Sequence, residues 1–342
     1  MGRFFNKIIF WVNIVMALLL LLSFVIPYVP PSRYPTVALL SLIVPLLIIL
    51  NIIFAIFWAI QLQRRFFLSA VVVVIAYFYF NAFYKISSEG NPDDFRNTLT
   101  LMSYNVRLFN AYEKKDYGDV ADIMKIYMQN EDPDVICIQE YYRPNKVDFS
   151  KYPYHYEHFK TPKMKLGNAI FSKYPLINKG AFDFKDTGNN TIYADVVKGK
   201  DTVRIYSVHL QSIGILPEVQ FLQDTDNDRL RNKFVSAFEK QQNQINAIQS
   251  HKQKVKNPVL ICGDFNNTPF SYSYRKMKGT MNDAFRERGN GLGATFLFDR
   301  FPLRIDYILS SEELEVISFK TLKNTFSDHY AIRATVGWGS VD

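Results

Sequence analysis

Two short strings concentrate side chains that can do chemistry: ICGDFNNTP at residues 261–269 and FSDHYAI at residues 326–332. Each joins an apolar, strand-like run to a carboxylate, amide or imidazole group. Those are the donor types that hold a cation and a polarised water at a sheet edge. Four further segments repeat the pattern. Asn105 ends one apolar run, Glu140 ends DVICIQE, His209 ends VRIYSVHL, and Asp306 interrupts RIDYIL. Taken singly, Asn105 reads equally as a turn residue, and Glu140 as the first solvated residue after a buried strand. Taken together, six segments that stop on such groups point to one shared site.

The chemistry these residues suit is specific. Glu140, Asn105 and Asp328 are hard oxygen donors and match magnesium or manganese better than zinc. A metal so held neutralises a phosphoryl oxygen. Gly263 allows a tight backbone before Asp264, whose carboxylate can orient and deprotonate a water that Asn266 fixes. An aspartate inside an apolar strand needs a partner if buried. For Asp306 that partner is His329, which is then poised to meet charge on the phosphoryl group or its leaving oxygen. His209 adds a second donor.

The elements that must position these groups follow from periodicity. Strands are expected at 98–105, 134–139, 168–172, 192–197, 203–210, 259–262, 305–309 and 331–336. Helices are expected at 117–130 and 229–252. The longer one carries an apolar stripe of Leu230, Phe234, Phe238, Ile245 and Ile248 and a Gln/Asn-rich face that reads as solvated. The pattern is mixed α/β. The +8 formal charge divides evenly between residues 1–96 and 97–342, so the second part is only mildly basic. That balance does not itself argue for a nucleic-acid surface. Lys160, Lys163 and Lys165 form a modest patch that reads as a solvated loop. Cys137 and Cys262 both sit in apolar runs, which excludes a disulfide framework and a Cys-rich zinc site. They read as buried free thiols, with one bridge left open for an extracytoplasmic domain.

The motifs SYNVRLFN, DVICIQE, GNAIFSKYPL, YSVHLQS, ICGDFNNTP, RIDYIL and FSDHYAI, in this order, resemble those of the endonuclease/exonuclease/phosphatase superfamily. The resemblance covers about residues 98–340. It implies a four-layer α/β sandwich, two packed mixed sheets flanked by helices, and Mg²⁺-dependent phosphoester hydrolysis, with Mn²⁺ as the alternative ion. It implies Asn105, Glu140 and Asp328 as metal-side residues. Asp264 and Asn266 fall on the water-orienting pair, Asp306 and His329 on an Asp–His dyad, and His209 on the phosphate-contacting histidine. The KMKLG stretch before GNAIFSK lacks the acidic residue that supports that histidine in some members. The substrate class this implies is a phosphoester: nucleic acid, lipid headgroup or small phosphate ester. The rival reading is a catalytically silent binding or scaffold module on a membrane anchor; retention of the whole polar set argues against it.

The other end of the chain is apolar over about 80 residues. Ile8 to Ile26, Val37 to Ile60 and Phe66 to Phe83 are broken only by Asn13, Ser23, Ser41, Pro45, Asn51, Ser69 and Asn81 among them. A crossing needs roughly 20 apolar residues, so three transmembrane helices are expected, with the bilayer contacted through residues 8–84. The organisation expected is a membrane region at 1–84, a polar linker at 85–97 and a catalytic domain at 98–342. No protein partner is indicated. Arg3 and Lys7 precede the first segment, and Arg64 and Arg65 separate the second and third. The positive-inside rule then places the catalytic domain outside the cytoplasm, on the periplasmic side of a bacterial inner membrane. Paired carboxy-terminal fusions check this: alkaline phosphatase is expected to be active and green fluorescent protein dark. The reverse pattern would overturn the orientation.

Overall fold

The apolar N-terminal run is cut into helices by proline and by two left-handed residues, Leu62 and Asn81. In the computed structural model, which describes residues 2–112, 120–215 and 218–341, the run forms α1 (Gly2–Leu22), α2 (Pro35–Leu39), α3 (Val44–Ile60) and α4 (Phe66–Phe80). A 3₁₀ turn carries α1 on, so that Phe4–Tyr28 is one apolar span of 25 residues. Against the three crossing helices expected, it is the one unbroken helix among the described residues that is long and apolar enough, or one of two if the bent second segment is a single span. The second segment bends by 49° between Pro35–Leu42 and Val44–Ile60, because Pro45 lies in the first turn of α3 and cannot continue a helix arriving from upstream. The third stops at Asn81, whose φ of 46° caps α4 after 15 residues. Fifteen residues rise about 22 Å, short of the roughly 30 Å hydrocarbon.

The polar residues inside these helices satisfy one another. Asn13 Nδ2 donates to Ser69 Oγ at 2.5 Å, Ser69 Oγ to Asn51 Oδ1 at 3.0 Å, and Trp58 Nε1 to Asn13 Oδ1 at 3.0 Å. All four side chains are buried. Interhelical polar contacts of this kind fix how apolar helices pack against one another. One end of the bundle gathers the basic residues: Arg65 donates to the Asn6 carbonyl, and Asn6 to Gln61. The opposite end docks on the second half of the chain. There Phe80 meets Phe270 edge to face at 4.8 Å, Arg275 lies 3.9 Å from the Tyr28 ring, and Thr268 Oγ1 donates to the Ser41 carbonyl.

The stretch expected as a linker is tied down rather than free. Lys85 and Gly291 exchange backbone hydrogen bonds at 2.9 and 2.8 Å, and the Gly90 amide donates to Ile317. After it come β1 (Phe95–Asn105), α5 (Val120–Asn130), β2 (Val135–Tyr142), β3 (Tyr154–His158), β4 (Leu166–Ser172), β5 (Leu176–Asp183), β6 (Asn190–Lys198) and β7 (Asp201–His209). Then follow α6 (Val219–Asp224), α7 (Asn227–Lys252), β8 (Val259–Asp264), α8 (Tyr272–Lys278), β9 (Asn282–Asp283) and α9 (Ala284–Arg288). The chain ends with β10 (Phe296–Phe298), β11 (Phe301–Leu303), β12 (Asp306–Ser310), β13 (Glu315–Leu322) and β14 (Ala331–Ser340). Residues 117–119 of the first expected helix lie outside the described residues.

Two six-stranded sheets form, in the orders β13-β14-β1-β2-β4-β3 and β5-β6-β7-β8-β12-β9. Each holds one parallel pair, β1 with β2 and β7 with β8, among antiparallel neighbours. The period-2 alternation of each strand builds the layers. Leu99, Leu101 and Cys137 from the first sheet pack against Ile205, Leu260 and Cys262 from the second. Met102 and Ile136 face outward onto Ile123 and Met124 of α5, and Val208 and Ile261 onto Ile245 and Ile248 of α7. The result is the expected four layers. Both cysteines are buried and unpaired with one another.

The Gln-rich face of α7 is a correction to the sequence reading. Gln241 and Gln244 are buried. Gln244 Oε1 accepts from the Gln211 amide at 2.8 Å, and Gln241 Oε1 accepts from Asn267 at 2.9 Å. These glutamines hold the loops that follow β7 and β8.

The start of β12 is pinned by a buried ion pair. Arg304 Nη1 donates to both carboxylate oxygens of Asp283, at 3.0 and 2.8 Å. Asp283→Ala leaves the guanidinium buried without its counter-charge. Stability is expected to fall by about 3–5 kcal/mol, read as a lower urea midpoint of the full chain; an unchanged midpoint would refute this.

Candidate active site

The two parallel pairs end at the same edge of the sandwich, and that edge is where the site forms. Asn105 ends β1 opposite Gln139 of β2, one residue before Glu140. In the other sheet His209 of β7 pairs with Asp264 of β8, and Asp306 of β12 pairs with Asp264 from its other side. Three local devices aim these side chains. Gly263 has a φ of +130°, and a Cβ there would lie 1.9 Å from the Val208 carbonyl oxygen; only glycine lets β8 approach β7 this closely. The register of β2 against β4 shifts between Ile138 and Tyr141. That bulge, with Glu140 held at a φ of 54°, turns the glutamate toward the second sheet. Thr295 Oγ1 accepts from the amides of Ile305 and Asp306 while the Thr295 carbonyl accepts from the Tyr330 amide. This brings Asp306 beside the loop that carries His329.

Asp264 Oδ2 is where these groups meet. Asn105 Nδ2 donates to it at 3.1 Å and Asn266 Nδ2 at 3.2 Å, while the Asn266 amide donates to Asp264 Oδ1 at 2.7 Å. His209 Nε2 lies 3.7 Å from it and His329 Nε2 3.8 Å. His329 Nδ1 is bonded to Asp306 Oδ2 at 2.9 Å, the partnership read from the sequence. Asn105 Nδ2 also reaches Glu140 Oε1 at 3.4 Å, and His209 Nε2 lies 3.9 Å from the same oxygen. Asn266 adopts a φ of 49°, strain of the kind that persists where surroundings over-determine a functional residue.

The electrostatics follow from burial and from these neighbours. Burial pushes Asp264 up to about 7, against the pull of the His329 charge. For His329, burial disfavours the imidazolium, but the Asp306 and Asp264 carboxylates outweigh it and hold the group up at about 10. His209 is driven down to about 3 by burial and by the charge on His329. Burial also raises Glu140. One histidine is therefore a cationic donor and the other a neutral ring.

Two donor sets bear on a metal. The ligand-capable atoms of Asp264, Asp306 and His329 lie within 4.8 Å of one another, but His329 Nδ1 and Asp306 are already bonded to each other. The second set is Glu140, Asn105 and Asp264, joined through Asn105, whose Nδ2 donates to both carboxylates while its Oδ1 accepts from the Arg107 amide. Its buried carboxylates are raised above their ordinary values, and a dication beside them would favour their charged forms. This oxygen set fits a hard divalent ion. Asp328 opens into the same cavity, and its carboxylate is ion-paired with Arg107 at 3.2 Å. Ser327 Oγ, which accepts from the His329 amide, donates to the Asn105 carbonyl and locks this loop onto β1.

Arg107 is the site residue that sequence reasoning missed. It lies two positions after Asn105 in the SYNVRLFN string, and it begins four successive non-glycine residues with positive φ, Arg107 to Asn110. Phe296 is another, bridged to His329 with the rings 4.9 Å apart. Lys160, read from the sequence as part of a solvated loop, donates to the carbonyls of Phe184 and Thr187.

The site groups open into a cavity of about 620 Å³. The Endonuclease/Exonuclease/phosphatase family matches residues 102–329. The family described as Domain of unknown function (DUF8431) matches residues 6–83. No curated protein matches the chain. Among solved structures, truncated TDP2 of Caenorhabditis elegans is similar at 17% identity and a TM-score of 0.53, covering 72% of this chain and 100% of that one. The human Nocturnin catalytic domain with bound sulfate is similar at 18% identity and a TM-score of 0.52, covering 74% and 97%. An endonuclease/exonuclease/phosphatase family protein of Bacteroides thetaiotaomicron is similar at 17% identity and a TM-score of 0.52, covering 71% and 98%. These likenesses show the fold. The family match runs from β1 to the site histidine, through each strand end that carries a candidate group, and the chain accordingly belongs to the Endonuclease/Exonuclease/phosphatase family and is a phosphoric-ester hydrolase of that metal-using kind.

Proposed function

We propose that this chain is a membrane-anchored, Mg²⁺-dependent phosphoesterase whose water-activating group is Asp264. The observation that supports it most is the convergence of Asn105, Asn266, His209 and His329 on one buried carboxylate oxygen. In this reading residues 1–84 are the membrane region, 85–97 the connection and 98–342 the catalytic domain. The ion is held by Asn105 and Glu140 with Asp328 nearby, and when bound it supplies charge neutralisation at a phosphoryl oxygen.

The remaining steps belong to side chains of this chain. Asp264 orients a water and takes its proton, while Asn266 fixes the carboxylate from both its amides. The water oxygen bonds to phosphorus as the phosphorus–ester oxygen bond breaks, and the departing oxygen takes up a proton as an alcohol. His329, kept cationic and oriented by Asp306, donates to a phosphoryl or leaving oxygen. His209, a neutral ring, adds a second donor. Asp306 acts through His329 and is a positioning residue.

The arrangement of the helices supports an extracytoplasmic catalytic domain. Arg64 and Arg65 lie between α3 and α4, at the end of the bundle where Arg65 meets Asn6, and the catalytic domain docks at the other end. Positive-inside logic then puts the two ends on opposite sides of a bacterial inner membrane.

Hydrolysis of bis(p-nitrophenyl) phosphate by the detergent-solubilised chain is expected to stop with a chelator and return with Mg²⁺ or Mn²⁺. Asp264→Ala is expected to lower kcat about 10²–10⁴-fold, and unchanged turnover would sink the mechanism. Asp306→Asn keeps the hydrogen bond but removes the charge behind His329. It is expected to lower kcat about 10²-fold with KM nearly unchanged; a rise in KM alone would assign Asp306 to substrate binding instead.

A further inference from the structure

The cavity that holds the site is polar at one end and apolar along its walls, and one wall comes from the N-terminal helices. Asn105, Glu140, Asp264 and His329 form its floor. Leu42, Ile43 and Leu46, at the 49° bend, line it together with Ile213, Ile215 and Phe298. Ile43 is 41% exposed and Leu46 46% exposed. These side chains are turned to the open space rather than packed under the catalytic domain. Leu46 is not alone on its helix. Ile53 and Ile60 follow at seven-residue spacing on α3 and are 53% and 77% exposed, so one unpartnered apolar stripe leaves the cavity and runs down the outer face of the bundle.

A wall of this composition is wrong for a polyanion, whose backbone calls for several lysines or arginines. Among the described residues lining the cavity, the only lysine or arginine is Arg107, and it is paired with Asp328. The wall is right for a phosphoester that carries a hydrocarbon chain. We propose that the substrate is a membrane lipid phosphoester, whose phosphoryl group reaches His329 while its chain lies along Ile43 and Leu46 and continues down the α3 stripe. The proposal rests on the phosphoesterase reading and adds the substrate class. Bond changes are those of hydrolysis: water oxygen joins phosphorus, one ester oxygen leaves as an alcohol, and the products are a phosphorylated fragment and that alcohol.

The test uses the full chain in dodecyl maltoside micelles with Mg²⁺. It compares two p-nitrophenyl phosphodiesters that differ only in the second ester group, methyl or hexadecyl. The hexadecyl ester is expected to have the higher kcat/KM by at least about tenfold, because it buries many methylene groups. In Leu46→Asp the ratio is expected to fall to about threefold or less, and in Leu46→Phe to persist. Leu46→Ala serves if the aspartate variant fails to fold, with a partial fall expected. Equal kcat/KM for the two esters in the unaltered chain would overturn the proposal while leaving the phosphoesterase reading intact, and so would a ratio unmoved by either Leu46→Asp or Leu46→Ala. Faster cleavage of a single-stranded oligonucleotide than of the hexadecyl ester would also overturn it. Absence of turnover on every phosphoester would remove the phosphoesterase reading and this proposal with it. Loss of ethanolamine or glycerol headgroups from nanodiscs of equal parts phosphatidylethanolamine and phosphatidylglycerol would support it directly.

Discussion

A carboxylate buried at the seam of two sheets is costly unless its charge is met, and Asp264 is such a group. Everything around it answers that cost. Two side-chain amides donate to Oδ2, a backbone amide donates to Oδ1, and two imidazole Nε2 atoms lie 3.7 and 3.8 Å from Oδ2. In the proposed mechanism the same partners that make the charge tolerable also set where a water can approach. Structural necessity and the proposed chemistry meet at a single atom, so the site has little freedom to rearrange without exposing or stranding that charge.

The sandwich supplies this arrangement because each sheet contains one parallel pair. Parallel neighbours end together, which sets Asn105 and Glu140 on one sheet opposite His209 and Asp264 on the other. Fine adjustment comes from irregularity. Gly263 lets two strands close up, a bulge turns Glu140 inward, and left-handed residues at Arg107 and Asn266 turn the chain sharply beside the site. Outer support is polar: Gln241 and Gln244 of α7 fasten the loops after β7 and β8.

Much of this was legible in the sequence, for physical reasons. Strands buried on both faces read as apolar runs, and a polar residue that ends such a run stands out; Asn105, Glu140, His209 and Asp264 were found that way. The Asp306–His329 pairing followed from the cost of an aspartate in an apolar strand. The features that escaped depend on what a one-dimensional pattern omits. Arg107 is an ordinary basic residue until its turn places it against Asp328. Gln241 and Gln244 look like a solvated helix face, because burial of an amide leaves no mark in periodicity once a strong apolar stripe lies beside it. The helix count was overestimated because hydropathy ignores that Pro45 starts a helix and that Asn81 can cap one early. Leu42, Ile43 and Leu46 could not be distinguished from their neighbours in a uniformly apolar stretch.

The buried cluster of Asn13, Asn51, Trp58 and Ser69 acts on the rest of the molecule through rotation. Successive residues on a helix point about 100° apart. An apolar helix among apolar helices has little to stop it turning on its own axis by one such step. Hydrogen bonds that Asn51 and Trp58 make to α1 and α4 key α3 at one angle. That keying decides which of its leucines looks into the cavity of the candidate site and which faces away, so a polar contact several turns from Asp264 works as the index pin of the molecule.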